Sequence, residues 1–95
     1  MAYTTDDIKA AAYTTSDIEA AANELLPKGW CVVGRAQLTR NFDAIEFYVA
    51  PIKNANRWRL VSISNKVIRR ASLTPEMLCE VLGATINVAI ESEAD

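Results

Sequence analysis

The stretch AIEFYVA, residues 44 to 50, shows a clear strand pattern from which the fold class of this chain can be predicted. Its apolar residues Ile45, Phe47 and Val49 recur at every second position, which is typical of a strand with one face in the core and one face in water. Three further stretches are rich in β-branched and aromatic residues: WCVVGRAQL (30–38), WRLVSIS (58–64) and KVIRRA (66–71). Turn residues separate all four stretches, so the middle of the chain predicts an antiparallel meander of three to four strands.

Helix signals flank this meander on both sides. Ser16 stands three residues before Glu19, the spacing of a capping box, and predicts a helix over residues 16–26. Thr74 is a good N-cap before a proline, and it predicts a last helix that runs to about residue 91. Residues 84–91 also alternate like a strand, an alternative that the pattern leaves open. The expected fold is α+β, a two-layer sandwich in the order α-β-β-β-β-α with both helices on one face of the sheet.

A decapeptide is repeated near the start of the chain, as AYTTDDIKAA (2–11) and AYTTSDIEAA (12–21). The first copy has Asp6 and Lys9 where the second has the capping pair, so we interpret it as a tandem duplication that added a helical turn. Residues 1–15 then form either an arm with its own short helix or the start of one long helix. The core comprises residues 16–95, within a single domain of residues 1–95.

Composition excludes several classes of function. The chain has 95 residues, 51% of them hydrophobic, and no histidine, which removes the commonest general base and most catalytic zinc sites. Cys31 and Cys79 lie far apart and are expected to be reduced and buried. We predict a cytoplasmic protein without membrane contact, with no catalytic residues, no cofactor and no metal.

Charge is strongly segregated along the chain. Residues 28–70 carry nine Lys and Arg against two acids, whereas residues 1–27 carry five acids and one lysine, and residues 71–95 carry five acids and no base. Such a layout predicts a basic sheet between acidic helices.

The candidate binding residues follow from this basic sheet. If Trp58 and Leu60 point into the core, alternation places Arg57 and Arg59 together on the open face of the sheet. The expected contacts on this face and at its edge are Arg35, Tyr48, Arg57, Trp58, Arg59, Arg69 and Arg70.

A basic sheet face with exposed aromatic residues fits two functions. The first is a non-enzymatic adaptor or inhibitor that binds a protein partner with an acidic surface. The alternative is a nucleic-acid-binding protein that uses the same face. The last helix is apolar over most of its circumference and needs a second partner surface, which predicts contact with the first helix or a homodimer.

Overall fold

A computed structural model describes residues 13–91, which form a three-stranded antiparallel sheet with two long helices. The strands are neighbours in chain order, so the sheet is a meander. The predicted α+β class is confirmed for these residues, and most of the predicted N-terminal arm, residues 1–12, lies outside them. The elements are helix α1 (Thr15–Leu25), strand β1 (Trp30–Leu38), strand β2 (Ala44–Pro51), a 3-10 turn (Ala55–Arg57), strand β3 (Arg59–Ser64), helix α2 (Asn65–Ile68) and helix α3 (Pro75–Glu91).

Helix α1 begins with a capping box, but not with the predicted pair. Thr14 is the N-cap: its Oγ1 accepts a hydrogen bond from the Asp17 amide at 3.2 Å, and Asp17 Oδ2 accepts one from the Thr14 amide at 2.9 Å. Thr14 is extended (φ −95°, ψ 169°), so the alternative of one unbroken helix across both copies of the repeat is wrong. The shifted cap leaves Glu19 available for another contact, with strand β1.

The predicted fourth strand, residues 66–71, is wrong, because this segment begins as the one-turn helix α2. Asn65 turns the chain: its amide donates to Asp43 O at 2.8 Å and its Nδ2 donates to Phe42 O at 2.9 Å. The Arg69 amide then closes the helical turn by donating to Asn65 O at 2.9 Å. Ile68 is fully buried in this arrangement, so one helical turn gives the segment its apolar contact without strand pairing.

The hydrophobic core lies between one face of the sheet and helices α1 and α3, which also contact each other. Helix α1 thereby supplies the second partner surface that the apolar last helix was predicted to need. The core-facing positions of the sheet and helices are fully or almost fully buried; they include Ile18, Ala22, Ile45, Phe47, Val49, Val61, Ile63, Leu82 and Ile86.

Helix α3 continues to Glu91, so the alternative of a strand over residues 84–91 is wrong. Gly83 lies inside this helix without ending it. Neither cysteine is in a disulfide, but Cys31 is half-buried and Cys79 is exposed, so the expectation that both are buried is wrong.

Strand β1 contains an irregularity that shapes one edge of the sheet. Val33 pairs with Tyr48 and Gln37 pairs with Glu46, so three residues of β1 face one residue of β2. Gly34 accommodates the extra length with φ +88°, a conformation that glycine adopts without steric cost. The Ala36 amide in this bulge donates to Glu19 Oε2 of α1 at 3.2 Å. A helix side chain therefore satisfies a backbone donor of the edge strand.

Candidate binding face

The open face of the sheet, which is the side opposite α1 and α3, carries a row of apolar side chains across all three strands. Val33 of β1 pairs with Tyr48 of β2, and Tyr48 pairs with Leu60 of β3. Side chains of directly opposite residues lie on the same face of a sheet and contact each other. The three are 38%, 40% and 43% exposed, so the row is at the surface.

Trp58 extends this row at the end of the sheet where β3 begins. Its ring meets the Tyr48 ring edge-on, with centroids 5.2 Å apart and planes at 90°, a favoured aromatic geometry. Trp58 is nonetheless 54% exposed. Val33, Tyr48 and Trp58 line a shallow depression of about 290 Å³. We call Val33, Tyr48, Trp58 and Leu60 the apolar row.

Each row of cross-strand neighbours on the open face carries a different type of side chain. Next to the apolar row, Gln37, Glu46 and Ser62 pair across the three strands and form a polar row on the same face. On the other side, Cys31 pairs with Ala50, which is fully buried. The open face therefore has an apolar strip with polar groups along one side, an arrangement that protein interfaces share.

The expected orientation of β3 is wrong. Arg59 pairs with the core residue Val49 and therefore lies on the side of the sheet that faces the helices. Its Nη1 donates to the carbonyl oxygens of Trp58 at 2.9 Å and Arg57 at 3.3 Å. Leu60 is on the open face, not in the core. Trp58 is the C-cap of the 3-10 turn directly before the strand and not a strand residue, so β3 begins at Arg59.

The other predicted arginines lie in three separate places. Arg57 ends the 3-10 turn beside Trp58 and is exposed. Arg35 lies in the β1 bulge, where it lines a groove with α1 residues that include Glu19 and Asn23. Arg69 and Arg70 follow α2, at the end of β3 opposite to Trp58. The structure therefore brings Tyr48, Trp58 and Arg57 to one region and leaves Arg35, Arg69 and Arg70 outside it.

Two members of the apolar row, Val33 and Leu60, were missed in the sequence. A signal for Leu60 is present in RLVSIS itself, where the β-branched residues Val61 and Ile63 alternate with Ser62 and Ser64. That alternation puts Leu60 on the same side as the serines. Val33 carries no such signal, because its placement depends on the register of β1 against β2.

Within residues 13–91, no group of three or more His, Cys, Asp or Glu side chains is placed to hold a metal ion. No helix in the same part of the chain is both long and apolar enough to span a membrane. No protein-family model, curated protein sequence or solved structure matches the chain.

Proposed function

We propose that this protein is a small binding domain that binds a protein partner through the open face of its sheet. The observation that carries the proposal is the apolar row, which crosses three strands on a face that no helix among residues 13–91 covers. Its exposed area is on the order of 300 Å², a patch size that is often functional on monomeric proteins.

Trp58 and Tyr48 are suited to act as the anchors of such an interface. Tryptophan and tyrosine are enriched among the residues that dominate binding energy. Their edge-on contact at 5.2 Å holds both rings before a partner arrives, which reduces the side-chain entropy lost on binding. An apolar side chain of the partner would enter the depression between Val33 and these two rings.

Basic residues beside the anchors favour an acidic partner surface. The connection between β2 and β3 carries exposed Lys53 and Arg57 near Trp58. Cationic groups at an interface rim accelerate association with an acidic surface and select against basic ones. The proposed partner therefore offers an apolar anchor flanked by carboxylates, and the domain acts as an adaptor or inhibitor without chemistry of its own.

The proposal is tested by comparing Trp58→Ser with Val88→Ser, which removes a residue that is 67% exposed on α3. Each protein is immobilised, and the proteins retained from a lysate are quantified by mass spectrometry. We expect a partner that the wild type and Val88→Ser retain and Trp58→Ser loses. With that partner purified, calorimetry should show Kd weakened by about 30-fold or more, the size of a hot-spot loss.

Leu60→Ser provides a second variant in the same row, which guards against a folding defect in Trp58→Ser. Circular dichroism and urea titration establish that each variant is folded before binding is compared. Retention of the same partners by Trp58→Ser and Leu60→Ser would refute the open face as the binding site.

The nucleic-acid alternative on this same face needs cations beside the Tyr48 and Trp58 rings. Only Arg57 of the predicted arginines lies next to Trp58 on this side, because Arg59 faces the helices. A fluorescent single strand titrated against wild type and Trp58→Ser separates the two proposals. Strand binding that Trp58→Ser abolishes would favour nucleic acid over a protein as the occupant of this face.

A homodimer through α3 remains a separate proposal. Met77 and Val88 are 42% and 67% exposed, and their spacing of eleven residues places them on one side of the helix. Light scattering of the wild type and Val88→Ser tests it: a dimeric mass that only the variant loses would support contact through this side, and a monomeric wild type would refute it.

A further inference from the structure

A second surface, independent of the open face, lies where the β1–β2 turn meets α2. Phe42 of this turn is 66% exposed. Phe42, Asp43, Ser64, Asn65, Lys66 and Arg69 line a groove of about 600 Å³. Arg40 precedes Phe42 in the turn, and Arg70 follows Arg69. We call Arg40, Phe42, Lys66, Arg69 and Arg70 the basic turn end.

Phe42 has a backbone conformation that is unfavourable for phenylalanine, and its side chain is exposed. Its φ is +59°, a left-handed conformation that a bulky side chain occupies only at a steric cost, and no other non-glycine residue among 13–91 has a positive φ. Its ring is mostly in water, and packing covers only about a third of the side chain. Residues held in such sparsely populated backbone conformations occur preferentially at functional sites.

The turn holds this strained residue in one conformation. The Phe42 amide donates to Thr39 O at 2.9 Å, and the Phe42 carbonyl accepts from Asn65 Nδ2 at 2.9 Å. Thr39 Oγ1 also accepts from the amides of Asp43 at 3.1 Å and Ala44 at 3.2 Å. The ring is therefore presented to solvent from a fixed backbone.

The cations around Phe42 have no acidic partners in the described part of the chain. Arg40, Lys66, Arg69 and Arg70 form no ion pair there, and Asp43 is the one acid that lines the groove. Lys66 and Arg69 line the groove against the single carboxylate of Asp43, and Arg40 and Arg70 adjoin it in the chain, so the surface beside the exposed ring is positive. Such a surface attracts an anion whose charge is fixed close to a flat apolar group.

We infer that the basic turn end binds single-stranded nucleic acid, with a base stacked on Phe42 and the neighbouring phosphates held by Lys66 and Arg69. Each nucleotide joins a flat ring to a phosphate within one residue, which matches an exposed ring set beside unpaired cations. A peptide of acidic residues alone offers the charge but no ring. A duplex keeps its bases stacked inside, so it would meet only the cations.

The test measures binding by fluorescence anisotropy with the full chain and four labelled probes: an oligothymidine strand, an abasic strand of equal length, a duplex and an oligoglutamate peptide. Phe42→Gly removes the ring and suits the positive φ, so the turn is expected to persist. We expect Phe42→Gly to weaken oligothymidine binding by about tenfold and to leave abasic-strand binding unchanged.

The double variant Lys66→Gln/Arg69→Gln should weaken binding of both strands. It should also reduce the slope of log affinity against log salt concentration by about two, one for each cation removed. Lys28→Gln/Arg35→Gln is the matched control, since it removes one exposed lysine and one exposed arginine outside the basic turn end and should leave affinity within about twofold. Trp58→Ser should not alter strand binding, which separates this site from the open face. An unchanged affinity in Phe42→Gly, an equal loss in the control, or tighter binding of the peptide than of the strands would each overturn the inference.

Discussion

Replacing Phe42 by glycine and by alanine separates the conformational cost of this residue from the packing of its ring. About a third of the side chain is covered, since it is 66% exposed. A phenylalanine side chain has roughly 200 Å² of surface, so at about 25 cal/mol per Å² the covered part contributes at most about 1.7 kcal/mol. Both substitutions lose this contribution, so it cancels when the two variants are compared.

The difference between the two variants then reports the backbone. Alanine keeps the steric cost of a left-handed conformation, about 1–2 kcal/mol, whereas glycine removes it. Glycine loses about 0.5–1 kcal/mol through its greater freedom in the unfolded chain. Taking the middle of each range, we expect the free energy of unfolding of Phe42→Gly to exceed that of Phe42→Ala by about 0.8 kcal/mol.

Urea titration followed by tryptophan fluorescence measures both values on the full chain, with equal m-values as the check on two-state behaviour. Ser62 is the matched control, because it is an exposed strand residue without a positive φ. There the order should reverse, with Ser62→Ala more stable than Ser62→Gly by about 0.5–1 kcal/mol. If Phe42→Ala were as stable as Phe42→Gly, the steric strain at position 42 would be refuted.

Two further predictions concern helix α1. Thr14→Ala removes the N-cap observed here and should lower the free energy of unfolding by about 1 kcal/mol, whereas Ser16→Ala should change it by less than about 0.5 kcal/mol; urea titration that ranked them in reverse would contradict the observed cap. Glu19→Ala removes the acceptor for the β1 bulge and should cost about 1 kcal/mol and accelerate amide exchange at Ala36, while the exposed Glu24→Ala should do neither. Equal effects of the two glutamate substitutions would show that the contact with the bulge does not stabilise the fold.

The capping result also changes the interpretation of the duplicated decapeptide. The pair that caps α1, Thr14 and Asp17, has counterparts Thr4 and Asp7 in the first copy, so the first copy retains this cap sequence. It differs where the second copy contacts the bulge, since Lys9 stands in the place of Glu19 and cannot accept a hydrogen bond from an amide. Because the first copy is interpreted as an added duplication, we predict that residues 2–11, which lie outside 13–91, can be deleted without unfolding the domain; a large loss of thermal stability on deletion would contradict this.

The elements of this fold that depend on residues close together in the chain could be predicted from the sequence alone. The alternation of Ile45, Phe47 and Val49 sufficed for β2, because a strand shows its buried face at every second residue. The Thr74-Pro75 start sufficed for α3, because capping and proline geometry act within one turn. Trp58 and Tyr48 could be named as candidates from residue type alone, because tryptophan and tyrosine are enriched among residues that dominate binding energy.

Which of these residues contact each other depends on the tertiary structure and could not be predicted from local sequence. The apolar row exists because the register sets Val33 and Leu60 on either side of Tyr48, and register depends on pairing between separate strands. The replacement of a fourth strand by α2 depends on Asn65 bonding a turn 23 residues earlier in the chain. Long-range hydrogen bonds and packing can override local preference, which is why the predicted arginines are distributed over four places, with Arg59 on the side of the helices.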